Sequence, residues 1–150
     1  MGDWFDTLGN LLAIIFDLAD DNKAGKILDY IKKNKINLPY PVMAIYPPIR
    51  EKDKYWQDYF LDCDAGRTFH YANAGIWGFI GGFYILSLIK LGKYIGAEKE
   101  LKKLAEVNLN GNFPEWTNPK TKEYFGKLQA WEAGMYILSY ESFKEKKVLI

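Results

Sequence analysis

From Tyr71 to Ile89 the chain reads YANAGIWGFIGGFYILSLI, nineteen residues without a charged side chain. A helix drawn through this run has no polar stripe, so in water it must be covered on every side. Its length is marginal for crossing a bilayer, which takes about 20 apolar residues. Its leading part, however, holds Asn73 and several small residues, and the pair Gly78-x-x-x-Gly82 has a spacing that lets a second helix approach closely. The expectation is a helix buried inside a soluble protein, with no membrane. The rest of the chain must then supply the cover.

It does so by alternation. Thr7 to Ala19 is apolar nearly all round, whereas Lys23 to Lys33 is amphipathic, with Ile27, Leu28 and Ile31 on one stripe. The pattern repeats: Ala72 to Leu91 is apolar, and Ile95 to Val107 carries a single stripe through Ile95, Leu101, Leu104 and Val107. Leu128 to Phe143 closes the series as a fifth, mostly apolar segment. Only residues 20–22 and 92–94 separate the members of each pair, so each pair is an antiparallel hairpin. The first, third and fifth helices are therefore expected inside, and the second and fourth outside as shields.

The connections Asn34 to Tyr71 and Asn108 to Lys127 are long for a compact domain, and such loops usually carry function. Because the tight turns lie at one end of each hairpin, both long loops belong at the other end, beside the leading tips of the inner helices. Hairpins laid inner to outer form a solenoid or a closed toroid. Loops that differ in length and content favour the toroid. The reading is all-α, a single domain over residues 1–150.

Charge narrows the partners. The net charge is +1, and the bases are Lys except for Arg50 and Arg67, which leaves little for reading nucleic acid. The runs Lys32-Lys33-Asn34-Lys35 and Lys144-Glu145-Lys146-Lys147 are read as solvated helix ends. Cys63 is alone and lies between Asp62 and Asp64, which disfavours a thiolate, so neither a disulfide within the chain nor a cysteine nucleophile is expected. With one histidine and one cysteine, neither a metal nor another cofactor is expected. Gly2-Asp3-Trp4 has no basic lead-in of the secretory kind, and a cytoplasmic protein is expected.

The candidate site residues come from the two long loops and the helix starts. In GNFPEWTNPKT (Gly111 to Thr121), Glu115 stands between the stiff Pro114 and Trp116, whose ring can stack on a sugar face. Glycoside hydrolysis uses a pair of carboxyls, and Glu115 could be one of them; it could equally cap a helix or pair with Lys120. Asp62, Asp64, Arg67, His70 and Asn73 bring mixed donors and acceptors to the start of the third helix, where they suit sugar hydroxyls or simply cap loops. Trp77 and Trp131 stand near the starts of inner helices, as pocket floor or plain core, with Gln129 and Tyr124 at the same rim.

Four stretches in order, FDTLGNLLAI (Phe5 to Ile14), HYANAGIWGFIGGFYILSLIKLG (His70 to Gly92), FPEW (Phe113 to Trp116) and EYFGKLQAWEAGMYIL (Glu123 to Leu138), resemble the C-terminal part of six-hairpin glycosidases. The groups most like it are the alkaline/neutral invertases and the amylo-α-1,6-glucosidase, glycogen-debranching-like proteins. The resemblance implies a partial (α/α)6 toroid of about five helices, with its site in the funnel at the inner-helix tips. It implies that Glu115 stands where such enzymes keep the general base of an inverting reaction.

The chain departs from that pattern at the third helix. The family reads roughly His-Asn-Gly-Gly-x-Trp-Pro where this sequence has Ala72-Asn73-Ala74-Gly75-Ile76-Trp77-Gly78. The family's general acid, an aspartate, belongs to a hairpin upstream of the residues present. Five helices do not close a six-hairpin ring, so self-association as a symmetric dimer, or a partner chain with the missing hairpins, is expected. Two functions follow: part of an inverting α-glycosidase acting on glucosides, sucrose or glycogen-type sugars, or a carbohydrate-binding or assembly module without catalysis.

Overall fold

The computed structural model describes residues 4–62 and 66–150. Five helices carry it: α1 (Thr7–Ile15), α2 (Asp21–Lys33), α3 (Gly78–Lys90), α4 (Tyr94–Gly111) and α5 (Ala130–Lys144). The turn into α2 is fixed by Asp20, whose carboxylate accepts the Lys23 N–H at 2.8 Å and satisfies one of the free donors of the first turn. Helix α4 ends where Asn112 turns left-handed at φ 53°. Lys90, at the end of α3, reaches the Ile15 carbonyl at 2.7 Å and Asp17 at 2.8 Å, which ties off the end of α1.

Helix α3 is the axis of the packing, lying against α1, α4 and α5, while α2 lies against α1. Ten of its thirteen residues are buried, as its lack of a polar stripe requires. At about 1.5 Å per residue those thirteen residues span about 20 Å, short of a hydrocarbon core of about 30 Å. No helix among the described residues is long and apolar enough to cross a membrane. The glycine pair of α3 faces α5: a Cβ on Gly82 would stand 2.8 Å from Met135 Cε and 3.2 Å from Ser139 Oγ. Leu11, Ile14, Ile31, Ile85, Leu86, Ile89 and Leu104 complete the core.

Four short strands add to the helices: β1 (Phe5–Asp6) pairs with β2 (Ile45–Tyr46), and β3 (Trp116–Thr117) with β4 (Tyr124–Phe125), both antiparallel. They bind the leading tips of the inner helices together. Thr7 N–H, at the first residue of α1, reaches the Ala44 carbonyl; Ala44 N–H reaches Gly75; Ile76 and Thr117 exchange both backbone bonds. Gln129 N–H, just before α5, reaches the Phe113 carbonyl at 3.0 Å. The tips of α1, α3 and α5 thus meet across one seam of backbone hydrogen bonds.

The structure shifts several boundaries and one face: α2 begins at Asp21 rather than Lys23, and α4 runs on to Gly111 rather than Val107. Helix α1 stops at Ile15 rather than Ala19, since Asp17 adopts φ 58°. Helix α3 begins at Gly78 rather than Ala72: Ala74 is left-handed at φ 68°, and Ile76 is extended between Met43 and Thr117. Helix α5 begins at Ala130, after a left-handed Leu128. Its fully buried positions are polar, Glu132, Ser139 and Ser142, while Trp131, Ile137 and Tyr140 are 48%, 61% and 43% exposed. The fifth helix therefore turns polar groups toward the glycine-lined face of α3 and leaves large apolar side chains uncovered.

Candidate functional site

Glu115 enters the β3–β4 hairpin at its first step. Its N–H donates to the Phe125 carbonyl at 2.8 Å, and the next register pair sets Trp116 opposite Phe125. Those two rings lie parallel, 3.9 Å between centroids and 1° between planes. Gly126, at φ 66°, takes a backbone conformation that costs a side chain dearly, and a Cβ there would stand 2.8 Å from Glu115 Cβ. Buried Pro114 on one side and this glycine turn on the other leave the half-buried Glu115 carboxylate little freedom.

What meets that carboxylate comes from the segment leading into α3. The Tyr71 hydroxyl donates to Glu115 Oε1 at 3.3 Å. Burial, followed by the Glu115 charge, holds the Tyr71 hydroxyl above its ordinary pKa, so it remains a proton donor at neutral pH. Tyr71 is fixed in turn by Trp77: the indole N–H donates to the Tyr71 carbonyl at 3.0 Å, and the two rings meet edge to face at 4.7 Å. Gly75 N–H donates to that same carbonyl. Tyr71 was not among the residues singled out from the sequence. The local signal was available, an aromatic hydroxyl six residues before a tryptophan at a helix start, but nothing in the sequence indicates that its hydroxyl meets a loop forty-four residues further on.

Of the predicted site residues, the structure gathers Glu115, Tyr71's neighbours His70 and Trp77, Trp116 and Gln129. His70 lies 5.2 Å from the Trp116 ring and 5.9 Å from Phe125. Gln129 Nε2 comes within 3.5 Å of a Cβ built on Gly126, beside Glu115, and donates to the Lys127 carbonyl. Trp116 is only 5% exposed; stacked on Phe125, it backs the Glu115 loop rather than offering an open platform. The half-buried Tyr71, Trp77 and Phe125 hold the exposed aromatic surface beside the acid.

The remaining residues serve elsewhere. Tyr124 points to the other face of the hairpin, as alternation along a strand requires, and its hydroxyl lies 3.2 Å from that of Tyr40, which also donates to Glu106. Asn73 is 6% exposed and locks the first long loop: Nδ2 donates to the Ile49 and Gly66 carbonyls and Oδ1 accepts the Ile49 N–H. Asp62 is exposed on the turn after the short 3₁₀ segment Asp58–Phe60, Arg67 is exposed with its carbonyl taken by His70 N–H, and Trp131 is half-exposed in the first turn of α5. Asp64 falls outside the described residues. Lys120 sits over the Phe69 ring at 4.6 Å, so the pairing with Glu115 that was open from the sequence is not made.

With this geometry in view, the sequence matches the family described as alkaline and neutral invertase over residues 2–146. It is 28% identical over 142 residues to alkaline/neutral invertase E, chloroplastic, of Arabidopsis thaliana, covering 90% of this chain and 22% of that protein. It is 27% identical over 143 residues to cytosolic invertase 1 of Oryza sativa subsp. japonica, covering 91% and 25%. It is 29% identical over 142 residues to neutral/alkaline invertase 1, mitochondrial, of the same rice, covering 90% and 22%. The chain thus spans about a quarter of the length of the curated relatives it matches.

Proposed function

We propose, taking as premise that this chain belongs to the alkaline and neutral invertase family, that it forms the general-base side of a glycoside-cleaving funnel. The observation that carries the reading is the Glu115 carboxylate, held between Pro114 and Gly126 and met by the Tyr71 hydroxyl at the joined tips of α1, α3 and α5. A carboxylate so placed activates water for attack on the anomeric carbon of a sucrose-like or α-glucoside sugar, whose faces lie against Tyr71, Trp77 and Phe125.

An inverting reaction needs a second carboxyl about 6.5–9.5 Å away to protonate the leaving oxygen. Among the described residues the side-chain partner of Glu115 is a tyrosine, not an acid. In this reading the general acid is an aspartate of an upstream hairpin, as the resemblance implies, carried by a partner chain that packs over the exposed Ile137 and Tyr140 of α5. The pair works on carbohydrate in a reducing compartment, without a cofactor.

Sugar release from sucrose and maltooligosaccharides, measured with and without a polypeptide carrying the upstream hairpins, is the test. The expected result is near-background hydrolysis alone and recovery in the mixture. Glu115→Gln in the mixture then lowers kcat by about 10²–10⁴ with sugar binding retained. If the chain binds these sugars, seen as a change in tryptophan fluorescence, but Glu115→Gln changes no rate, the protein is a carbohydrate-binding module instead. Tyr71→Phe in the same mixture should reduce kcat about tenfold with little change in KM, the worth of one hydrogen bond to a charged group that aims the carboxylate. Equal losses in the two constants would assign Tyr71 to substrate binding.

A further inference from the structure

On the side of the molecule where α2 and α4 flank α3, the structure has a cavity of about 530 Å³, a volume usual for small-molecule sites. Its floor is apolar, from Leu28 of α2 and Tyr84 and Leu88 of α3. Its walls are basic: Lys32 and Lys35 from the end of α2, Lys93 and Lys99 from the start of α4. Among the described residues none of these four lysines is in an ion pair. A fifth, Lys103, is already engaged: it bonds Glu100 at 3.0 Å, and Asn37 holds the same carboxylate at 2.8 Å. Asp29 remains as the free acid against four free cations in the cavity, on a chain whose whole net charge is +1.

Solvated lysines on outer helices need no ligand. The Tyr84 hydroxyl, opening onto the groove from an otherwise buried side chain, is what distinguishes it. Tyr84 is 4% exposed, lines the groove, and among the described residues makes no hydrogen bond. With no partner among the described residues, that hydroxyl is available to whatever occupies the groove. Burial, then the nearby Glu100 charge, shifts the Tyr84 pKa upward, so the hydroxyl keeps its proton as a donor. A ligand completing this groove presents an acceptor to the Tyr84 O–H, negative charge to the lysines that line it, and an apolar body to Leu28, Leu88 and the tyrosine ring.

We propose that the groove between α2 and α4 binds a phosphomonoester with an apolar or aromatic body, its phosphate oxygens held by Lys32, Lys35, Lys93 and Lys99 and by the Tyr84 hydroxyl. Lysines suit the phosphate as mobile point charges that need no bidentate geometry. No residue of the Glu115 cluster lines the groove, so this binding stands independently of glycoside cleavage.

Calorimetric titration of the 150-residue chain with phenyl phosphate tests it, with inorganic phosphate and phenol as comparison arms. Phenyl phosphate should bind at least tenfold more tightly than either comparison compound and weaken as salt rises. The double variant Lys93→Gln, Lys99→Gln should weaken binding about tenfold, and the near-isosteric Tyr84→Phe about fivefold, with urea midpoints within a few tenths molar of the parent. Binding no tighter than that of phenol, or no tighter than that of inorganic phosphate, overturns the proposal. So does a Tyr84→Phe protein that is folded and binds as the parent does.

Discussion

Glu132→Gln is expected to stabilise the protein by about 4–5 kcal/mol at pH 9 and by almost nothing near pH 4, since each pKa unit is worth about 1.4 kcal/mol. Glu132 is fully buried at the contact of α5 with the start of α3. Its Oε1 accepts the Phe79 N–H at 2.9 Å and so caps α3, whose own N-cap, Trp77, offers no side-chain acceptor. Oε2 has no hydrogen-bond partner and faces Gly78, where a Cβ would overlap it. Burial raises this carboxyl from 4.5 to about 8, against the smaller opposing pull of the Phe79 and Gly78 N–H groups.

The sign follows from the proton count. Between pH 4.5 and about 8 the folded protein keeps a proton on Glu132 that the unfolded chain has lost, so the stability this group contributes is fully present below 4.5 and is lost as pH rises through 8. Glutamine keeps the acceptor for Phe79 and removes the charge. Urea unfolding midpoints at pH 5, 7 and 9 measure it: the parent should fall steadily across the series and the variant should not. Parallel curves for the two proteins would show that Glu132 is hydrated and ionised in the folded state.

Gly75→Ala should cost about 3 kcal/mol or more, because its new methyl collides with backbone rather than with a side chain that can swing away. A Cβ at Gly75 would overlap the Tyr71 carbonyl oxygen and stand 2.9 Å from the Tyr71 nitrogen and 3.1 Å from Trp116 Cε3. The Tyr71 carbonyl already receives the Trp77 indole and the Gly75 N–H, so moving it undoes both bonds and withdraws the hydroxyl from Glu115. A lowered urea midpoint together with altered near-UV circular dichroism from the Tyr71, Trp77 and Trp116 cluster is the expected record. Gly134→Ala is the matched control: nothing lies within 4 Å of its Cβ in the middle of α5, and a gain of about 0.5–1 kcal/mol is expected. A Gly75→Ala protein as stable as the parent would mean that the segment before α3 is not held as described.

Much of the candidate site lay within reach of the sequence. Pro114-Glu115-Trp116 marks the acid, and the long connections on either side of the α3–α4 hairpin mark the end of the molecule to which it belongs. The start of α3 is not legible in the sequence, because Ala72 to Trp77 is as uncharged as the helix it leads into, and composition does not distinguish an extended seam from a helical turn. The resemblance held a clue. The family pattern has proline where this chain has Gly78, and proline favours the first turn of a helix, which is where Gly78 proves to stand. The division of labour in the β3–β4 hairpin was hidden for a different reason. Trp116 and Tyr124 are both aromatic and both near Glu115 in sequence, and only the register shows that one faces His70 and the other faces Tyr40.

Sequence alone determined the number and order of the helices, the burial of α3, and the end of the molecule at which its long loops meet. These follow from hydrophobic period and link length, which are local properties. The tertiary structure alone decided that Tyr71 meets Glu115, that Trp116 is a buried support, and that α5 turns Glu132, Ser139 and Ser142 inward while Trp131 and Ile137 stay outside. Each of these depends on which backbone donors and which glycine surfaces a distant element presents. A carboxylate seeks the free N–H groups of a helix start and a serine hydroxyl a spare carbonyl lone pair wherever the fold presents them, as Glu132 does at Phe79 and Ser139 at Gly82.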